Sequence, residues 1–410
     1  MVETALAMAP RLATHRAIVR FGAEVAVRRR PTPAADVGGL LLAPVVAGLC
    51  GTDLQMLRGL RDDPAPVIGH EGVARVVAAG AHAQAPFAPG ALVAVNPTHP
   101  DDPGFLLGHT VDGLLQERVA IPAGALDAGL VLCVPDALDP VLGVLLEPLA
   151  AVAYAFELLS RRTRPARTLV VCGDGTIGHL AIRAAARWLH PEVRTAMMPH
   201  TLAGAQWSAA SHHPPHLIVR PGQDLAAVLT ASDAGRGGGS VAALLATPRD
   251  ATLTCLERVL DAIDALSQAR GGLRSCAAGS RAAEPELDVD LLGGLPAASR
   301  SIRLPGIDLA AVRARNCGGR PPTPDLVSAV TEGGTRVRIG GQRGVAARHL
   351  RSAAAELVRA PERYRELITH VVSLDEAARI MGQLAGSRDR TVDGRRLIKL
   401  AVRISDADGH

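Results

Sequence analysis

The sequence predicts an α/β protein in which a parallel sheet covered by helices is set between β-rich sequence and a differently textured tail. Three observations predict it. Apolar strand-like runs alternate with helical stretches from about residue 168 to 341, a glycine turn GDGTIG joins the first of those strands directly to an Ala-rich helix, and residues 16–49 carry short apolar runs broken by Pro and Gly. Alternating strands and helices close into a parallel sheet with both faces covered. A chain of 410 residues exceeds one compact core, and its 48% hydrophobic content is ample for two.

Taken in order, GVARVVAAG (72–80) and GALVAVNP (90–97) continue the strand-rich manner of the start. LGVLLEPLAAVAYAFELL (142–159) turns helical, and TLVVCGDGTIGHLAIRAAARWL (168–189) reads as strand, turn and helix, the opening of a βαβ unit. Later strand candidates are VRTAMM (193–198), VAALLAT (241–247), LRSCAAG (273–279) and TRVRIGG (335–341), with TLTCLERVLDAIDALSQA (252–269) a helix between two of them. The tail reads as a helix over 346–359, ITHVVSLDEAARIM (368–381) and a final strand RRLIKLAVRI (395–404). The sequence has no internal repeat.

The formal charge is +4, and the 44 basic residues, all Arg except Lys399, are interspersed with 40 acids, which argues against a nucleic-acid partner. Cys50, Cys133, Cys172, Cys255, Cys276 and Cys317 are scattered without a CxxC pair, so neither a disulfide framework nor a cysteine-rich metal lobe is expected. A reducing cytoplasm is the simplest home. No signal peptide or membrane span is predicted, and Cys133, Cys255 and Cys276 are expected in the core.

Two stretches carry chemistry. In GDGTIG, Gly173 allows the tight turn, Gly175 lets backbone approach a pyrophosphate and Gly178 lets the helix pack on the strand, while Thr176 and Ile177 open a helix whose free N–H groups face the phosphates. In CGTDLQMLRGLRDDPAPVIGHEG (50–72), Cys50 ends an apolar strand and enters a loop, and His70 and Glu71 follow a Pro-containing excursion. Thiolate, imidazole and carboxylate suit Zn²⁺ and leave a position for substrate. Asp53 is placed to hydrogen-bond the far nitrogen of His70.

GLCGTDLQMLRG, PVIGHEGVARVVAAGA, LLEPLAAVAYA, GDGTIG and ITHVVSLDEA occur in the order and near the spacings of the medium-chain zinc-dependent alcohol and polyol dehydrogenases, which this chain resembles from about residue 20 to its end. The resemblance implies a Rossmann domain, a doubly wound parallel sheet over residues 156–344, inserted into a GroES-like β-rich catalytic domain made by residues 1–155 and 345–410. It implies that Cys50, His70 and Glu71 hold one catalytic zinc, with Glu147 of LLEP beside the metal. Adjacent strand residues face opposite ways, so His70 and Glu71 reach one ion only if the backbone turns there, and either Glu71 or Glu147 could complete the set. A homo-oligomer, dimer or tetramer, with a small-molecule substrate and no membrane is expected.

Two departures from the family stand out. The four cysteines of its frequent second, structural zinc have no counterpart in NPTHPDDPGFLLGHTVDGLLQERV (96–119). Thr52 falls where a hydroxyl proton relay is expected, but Gln55 or a neighbour replaces the histidine some members use next, and Gln cannot carry a proton. The implied reaction is hydride transfer from a secondary alcohol to NAD or NADP. No acid closely follows VRTAMMPHT, where NAD-preferring members place one, and His200 stands near that position with Arg194 at the strand's start, so NADP is expected to be tolerated. With 2% aromatic residues and polar segments offering Asn96, His99, Asp101, Arg313, Arg315 and Asn316, a polyol, sugar or (amino)cyclitol-like substrate is expected. His109 is a further candidate for the pocket border, and Cys317 is left open. His212, His213 and His216 of SHHPPH are expected in a solvated loop. The competing classes are a zinc-free enone or quinone reductase of the same fold and a non-catalytic binding protein on its scaffold.

Overall fold

A computed structural model describes residues 13–83, 87–161, 165–231, 240–271 and 286–405. Two seven-stranded sheets organise them. The first runs, in spatial order, Ile368–Val372, Lys399–Arg403, Leu40–Gly48, Glu71–Ala79, Leu92–Val95 and Val131–Cys133, with Val119–Ile121 added beside Leu40–Gly48. Sequence from both ends of the chain thus shares one sheet, through the antiparallel pairing of Lys399–Arg403 with Leu40–Gly48. The second sheet is the inserted Rossmann sheet. Leu217–Ile218, Arg194–Met198, Thr168–Cys172, Val241–Leu245, Leu287–Asp290 and Arg336–Gly340 lie parallel, and Val327–Val330 closes the edge antiparallel. From Thr168–Cys172 the chain builds outward in one direction and then, from Val241, in the other. The crevice at that reversal opens at the carboxyl ends of the strands, where doubly wound sheets bind ligands.

The apolar stretch Pro140–Leu159 joins the two sheets. It is long and apolar enough to cross a membrane, yet 72% of it is buried inside the protein. Leu149, Val152, Phe156 and Leu159 pack in a core shared with Val45 and Val73 of the first sheet and Leu169 and Val171 of the second. The boundary expected at residue 155 falls inside its helix, Leu146–Leu159.

Several expectations change in detail. Cys50 does not enter a loop; it stands at the N-cap of a helix, Gly51–Leu57, that buries Leu54, Met56 and Leu57. The final run divides: Arg395–Arg396 pairs with Thr391–Val392 in a small hairpin, and Lys399–Arg403 alone joins the large sheet. LRSCAAG, with Cys276, lies outside the described residues. A strand does form at Leu287–Asp290, whose alternating acids hid it. Cys133 is exposed at the end of its strand rather than in the core, and Cys255 is half-buried against it. The cysteine-free lobe is held by Thr110, whose hydroxyl accepts from Leu106 N–H (2.7 Å) and donates to Gly104 carbonyl (2.7 Å), over buried Phe105 and Leu107.

Candidate active site

The strand Leu40–Gly48 delivers Cys50 to the start of the helix Gly51–Leu57, where the Asp53 carboxylate accepts the Cys50 backbone N–H at 2.8 Å. Asp53 is fully buried, and burial pushes its carboxyl up. Its second oxygen faces His70 Nδ1 at 3.7 Å, too long for the hydrogen bond expected from the sequence, and both atoms are buried without a hydrogen-bond partner. Asp53 therefore orients the imidazole through charge and braces the Cys50 backbone.

The backbone turn that His70 and Glu71 require is present. Gly69 adopts φ +96°, and a Cβ there would lie 2.8 Å from Leu115 Cγ. His70 consequently precedes the strand Glu71–Ala79 instead of alternating within it. Ligand atoms of Cys50, His70 and Glu71 all lie within 4.8 Å of one another. Burial alone would lower the His70 pKa, but the hydrogen bond to Cys50 and the negative Cys50, Asp53 and Glu71 drive it up to about 10.

The chain's one lysine completes the cluster, a residue sequence reasoning passed over although a single Lys among arginines was its signal. Lys399, 1% exposed, pairs through Nζ with Glu71 Oε2 and donates to the Leu49 carbonyl at 3.2 Å. Its stem lies over Gly48, where a Cβ would stand 2.7 Å from Lys399 Cε. Glu71 thus has an ammonium partner of its own. Glu147 lies in the first turn of Leu146–Leu159; burial raises its carboxyl to about 7, with His70, Glu71 and Lys399 all in its field.

Thr52 Oγ1 is buried with no partner, poised for a group the protein does not supply. His109 is buried against His70, ring centroids 4.9 Å apart, and its Nδ1 lies 3.1 Å from Asp63 Oδ2. Burial and the neighbouring His70 hold His109 down at about 4.

In the glycine turn, Gly173 has φ +113° and a Cβ would meet Ala246 O at 2.4 Å; at Gly178 it would meet Gly173 O at 2.1 Å; at Gly175 nothing lies within 4 Å. Two glycines are therefore required for closure and the third faces open space. The Thr176 hydroxyl donates to the Ile398 carbonyl at 2.7 Å, tying the helix Thr176–Trp188 to the other sheet, and Ile177 packs on the core. His200 is exposed, and its backbone N–H donates to Asp174 Oδ1 at 3.0 Å, while Arg396 pairs with Asp174 Oδ2. Arg194 stands at the start of its strand, the end opposite the crevice.

The polar residues expected around the substrate each have partners within the protein. Asn96 donates to Val345 carbonyl (2.6 Å), the His99 ring accepts from the Asp102 amide (2.8 Å), and Asp101 pairs with Arg320 (2.6 Å) at the surface. Arg313 donates to Leu291 carbonyl (3.0 Å), Arg315 pairs with Asp325 (3.2 Å), and Asn316 donates to Gly341 carbonyl (2.9 Å). Cys317 is half-buried beside them. In SHHPPH, His212 faces Glu366 at 3.2 Å and His216 Nδ1 lies 2.9 Å from Thr195 Oγ1.

Residues 37–128 match the alcohol dehydrogenase GroES-like domain family. Glucose 1-dehydrogenase of Thermoproteus tenax is 33% identical over 175 residues, a match that spans 38% of this chain and 49% of that enzyme, about half its length. Galactitol-1-phosphate dehydrogenase of Escherichia coli superposes with a TM-score of 0.66 at 16% identity, covering 95% of this chain and 100% of the other. A protein of Sinorhizobium meliloti assigned as a zinc-binding dehydrogenase and bound to NADP superposes at 0.63 and 21% identity, covering 95% and 99%. At those identities the likeness establishes the fold. The chain has the fold of these proteins, a Rossmann sheet set into a GroES-like domain.

The donor set fits zinc. With Glu71 neutralised by Lys399, Cys50 thiolate, neutral His70 and Glu147 carboxylate leave two negative charges for a divalent ion, and the Asp53 oxygen without a hydrogen-bond partner faces the imidazole from behind.

Proposed function

We propose that the chain is a zinc-dependent NAD(P) oxidoreductase that oxidises a secondary hydroxyl of a polyol, sugar or cyclitol-like substrate. The observation that carries this reading is the convergence of Cys50, His70 and Glu71 within 4.8 Å, with Glu147 in the same electrostatic field. Cys50, His70 and Glu147 would hold the metal, with Glu71 remaining paired to Lys399. Bound there, zinc supplies Lewis-acid polarisation and the nicotinamide accepts hydride. Thr52, whose hydroxyl has no competing partner, would accept the proton of the substrate hydroxyl while its own hydroxyl proton passes on to water. His109 packs against one face of His70 and Asp53 faces its edge, so the imidazole is fixed from two directions.

The polyol reading is supported by Glu147 and by the glucose and galactitol-1-phosphate dehydrogenases among the chain's relatives. Tolerance of NADP is supported by the end of the strand Arg194–Met198, which carries Pro199, His200 and Thr201 and no acid, while Arg396 stands beside Asp174 nearby. The protein is proposed to act in the cytoplasm as a homo-oligomer with one zinc per chain. Steady-state kinetics on cyclitols, sugar alcohols and plain secondary alcohols with both coenzymes tests the reading. Polyhydroxylated substrates are expected to give the highest kcat/KM, with NADP accepted. A maximum with 2-butanol or benzyl alcohol would overturn the substrate class, and a hundredfold preference for NAD would overturn the coenzyme assignment.

A further inference from the structure

Two cysteines far apart in sequence meet beneath the glycine turn, and neither belongs to the site described above. Cys172 is the fully buried last residue of the strand Thr168–Cys172, and Cys255 is half-buried in the first turn of the 20-residue helix Thr252–Gly271. Their thiols hydrogen-bond to each other, and Cys172 Sγ also lies 3.7 Å from Met198 Sδ at the end of the neighbouring strand Arg194–Met198. The pair is unsymmetrical. The hydrogen bond from Cys172, with Arg258 on the same helix face, brings the Cys255 thiol down to about 7 against the opposing effect of burial, while that bond and burial push Cys172 up. Cys255 is the thiolate and Cys172 its proton donor. A half-exposed thiolate near a helix N-terminus and an arginine is the form of cysteine that reacts with oxidants, and a second thiol in contact with it traps the product.

The backbone above the pair has no slack. Cys172 runs directly into Gly173, whose φ is +113° and where a Cβ would meet Ala246 O at 2.4 Å. The Gly173 N–H donates to the Met198 carbonyl at 3.0 Å, and the Cys172 carbonyl accepts the Ala246 N–H at 2.9 Å. A displacement of Cys172 is therefore passed to the turn. We propose that hydrogen peroxide converts Cys172 and Cys255 into a reversible disulfide, and that this bridge weakens coenzyme binding by displacing the glycine turn. The Cys255 thiolate attacks one peroxide oxygen, the O–O bond breaks, and sulfur is oxidised to a sulfenic acid while the other oxygen leaves as hydroxide and is protonated to water. Cys172 sulfur then attacks Cys255 sulfur, the S–S bond forms, the S–O bond breaks, and the hydroxide departs with the Cys172 proton as a second water. Two thiols and one peroxide give one disulfide and two waters, and an external dithiol reverses the bridge by exchange at the cost of its own oxidation. The S–S bond, about 2.05 Å long, is far shorter than a hydrogen bond between thiols, so the strand end and the helix start are drawn together. The effect on coenzyme rests on the NAD(P) reading above; formation of the bridge does not.

The test is peptide mapping of the purified full chain, with free thiols alkylated, before and after treatment with hydrogen peroxide, alongside equilibrium binding of NADP. Binding is followed in place of turnover because Cys50 is a thiol as well. The expected result is a linked peptide joining Cys172 to Cys255, and an NADP affinity that falls by roughly tenfold, both reversed by dithiothreitol. In Cys255→Ser no bridge forms and NADP binding should withstand peroxide, whereas in Cys172→Ala the unresolved Cys255 should proceed to sulfinic acid. Absence of the linked peptide from the treated wild type, or a link from either residue to a different cysteine, would overturn the inference. A bridge that leaves NADP binding unchanged, or an equal loss of binding in Cys255→Ser, would overturn its control of the coenzyme. If the reduced wild-type chain binds neither NAD nor NADP, it is the underlying coenzyme reading that fails, and the peptide map still decides the bridge.

Discussion

Replacing Cys50 with alanine is expected to abolish metal retention and to lower kcat/KM for the preferred alcohol by about a thousandfold or more, while the protein stays folded. Cys50 is half-buried at a helix start, so losing its sulfur costs stability on the order of 1 kcal/mol. It is also the one thiol among the ligand atoms that converge within 4.8 Å. A metal acting as Lewis acid contributes several kcal/mol of transition-state stabilisation, and about 1.4 kcal/mol is tenfold in rate, which sets the size of the loss. Circular dichroism and elemental analysis on the variant, alongside its kinetics, check all three parts. Full activity in Cys50→Ala would mean that the cluster is not the reaction centre.

The second large effect belongs to Lys399. Changing it to methionine keeps the stem over Gly48 and removes only the ammonium, leaving Glu71 buried and unpaired. Breaking a buried pair at one partner costs about 3–5 kcal/mol because the other charge is stranded. At roughly 2–4 °C per kcal/mol for a domain of this size, Lys399→Met should unfold about 10 °C below wild type. The double variant Glu71→Gln, Lys399→Met should regain most of that loss, since no charge is then left alone. Activity should fall in the single variant as well, because the released Glu71 carboxylate becomes a rival ligand within 4.8 Å of Cys50 and His70. A single variant as stable as wild type in thermal unfolding would show that the pair is not maintained in solution.

Patterns that are local in sequence were legible, and pairings between distant segments were not. The strand, turn and helix around GDGTIG follow from apolar periodicity and glycine spacing, and they form at Thr168–Cys172 and Thr176–Trp188. Cys50, His70, Glu71 and Glu147 were chosen by residue type and motif; the ligand atoms of the first three lie within 4.8 Å of one another, and His70 and Glu71 act on the charge of Glu147. Lys399 escaped because its partner Glu71 lies 328 positions away, and no periodicity announces an ion pair across two strands of a sheet. The strand Leu287–Asp290 escaped because Asp288 and Asp290 break the apolar run expected of a strand buried on both faces; Asp288 is matched by Arg338 at 2.7 Å on the neighbouring strand. Polar character has a second reading: Asn96, Arg313 and Asn316, expected near the substrate, donate to backbone carbonyls, which need donors when buried.

The central claim is that one divalent ion is held by Cys50, His70 and Glu147 while Lys399 occupies Glu71. Elemental analysis of the purified full chain, paired with the same measurement on Cys50→Ala, tests it most directly. One zinc per chain in the wild type and none in the variant is the expected result; no bound metal in the wild type, two tightly bound ions, or an undiminished zinc content in Cys50→Ala would contradict it.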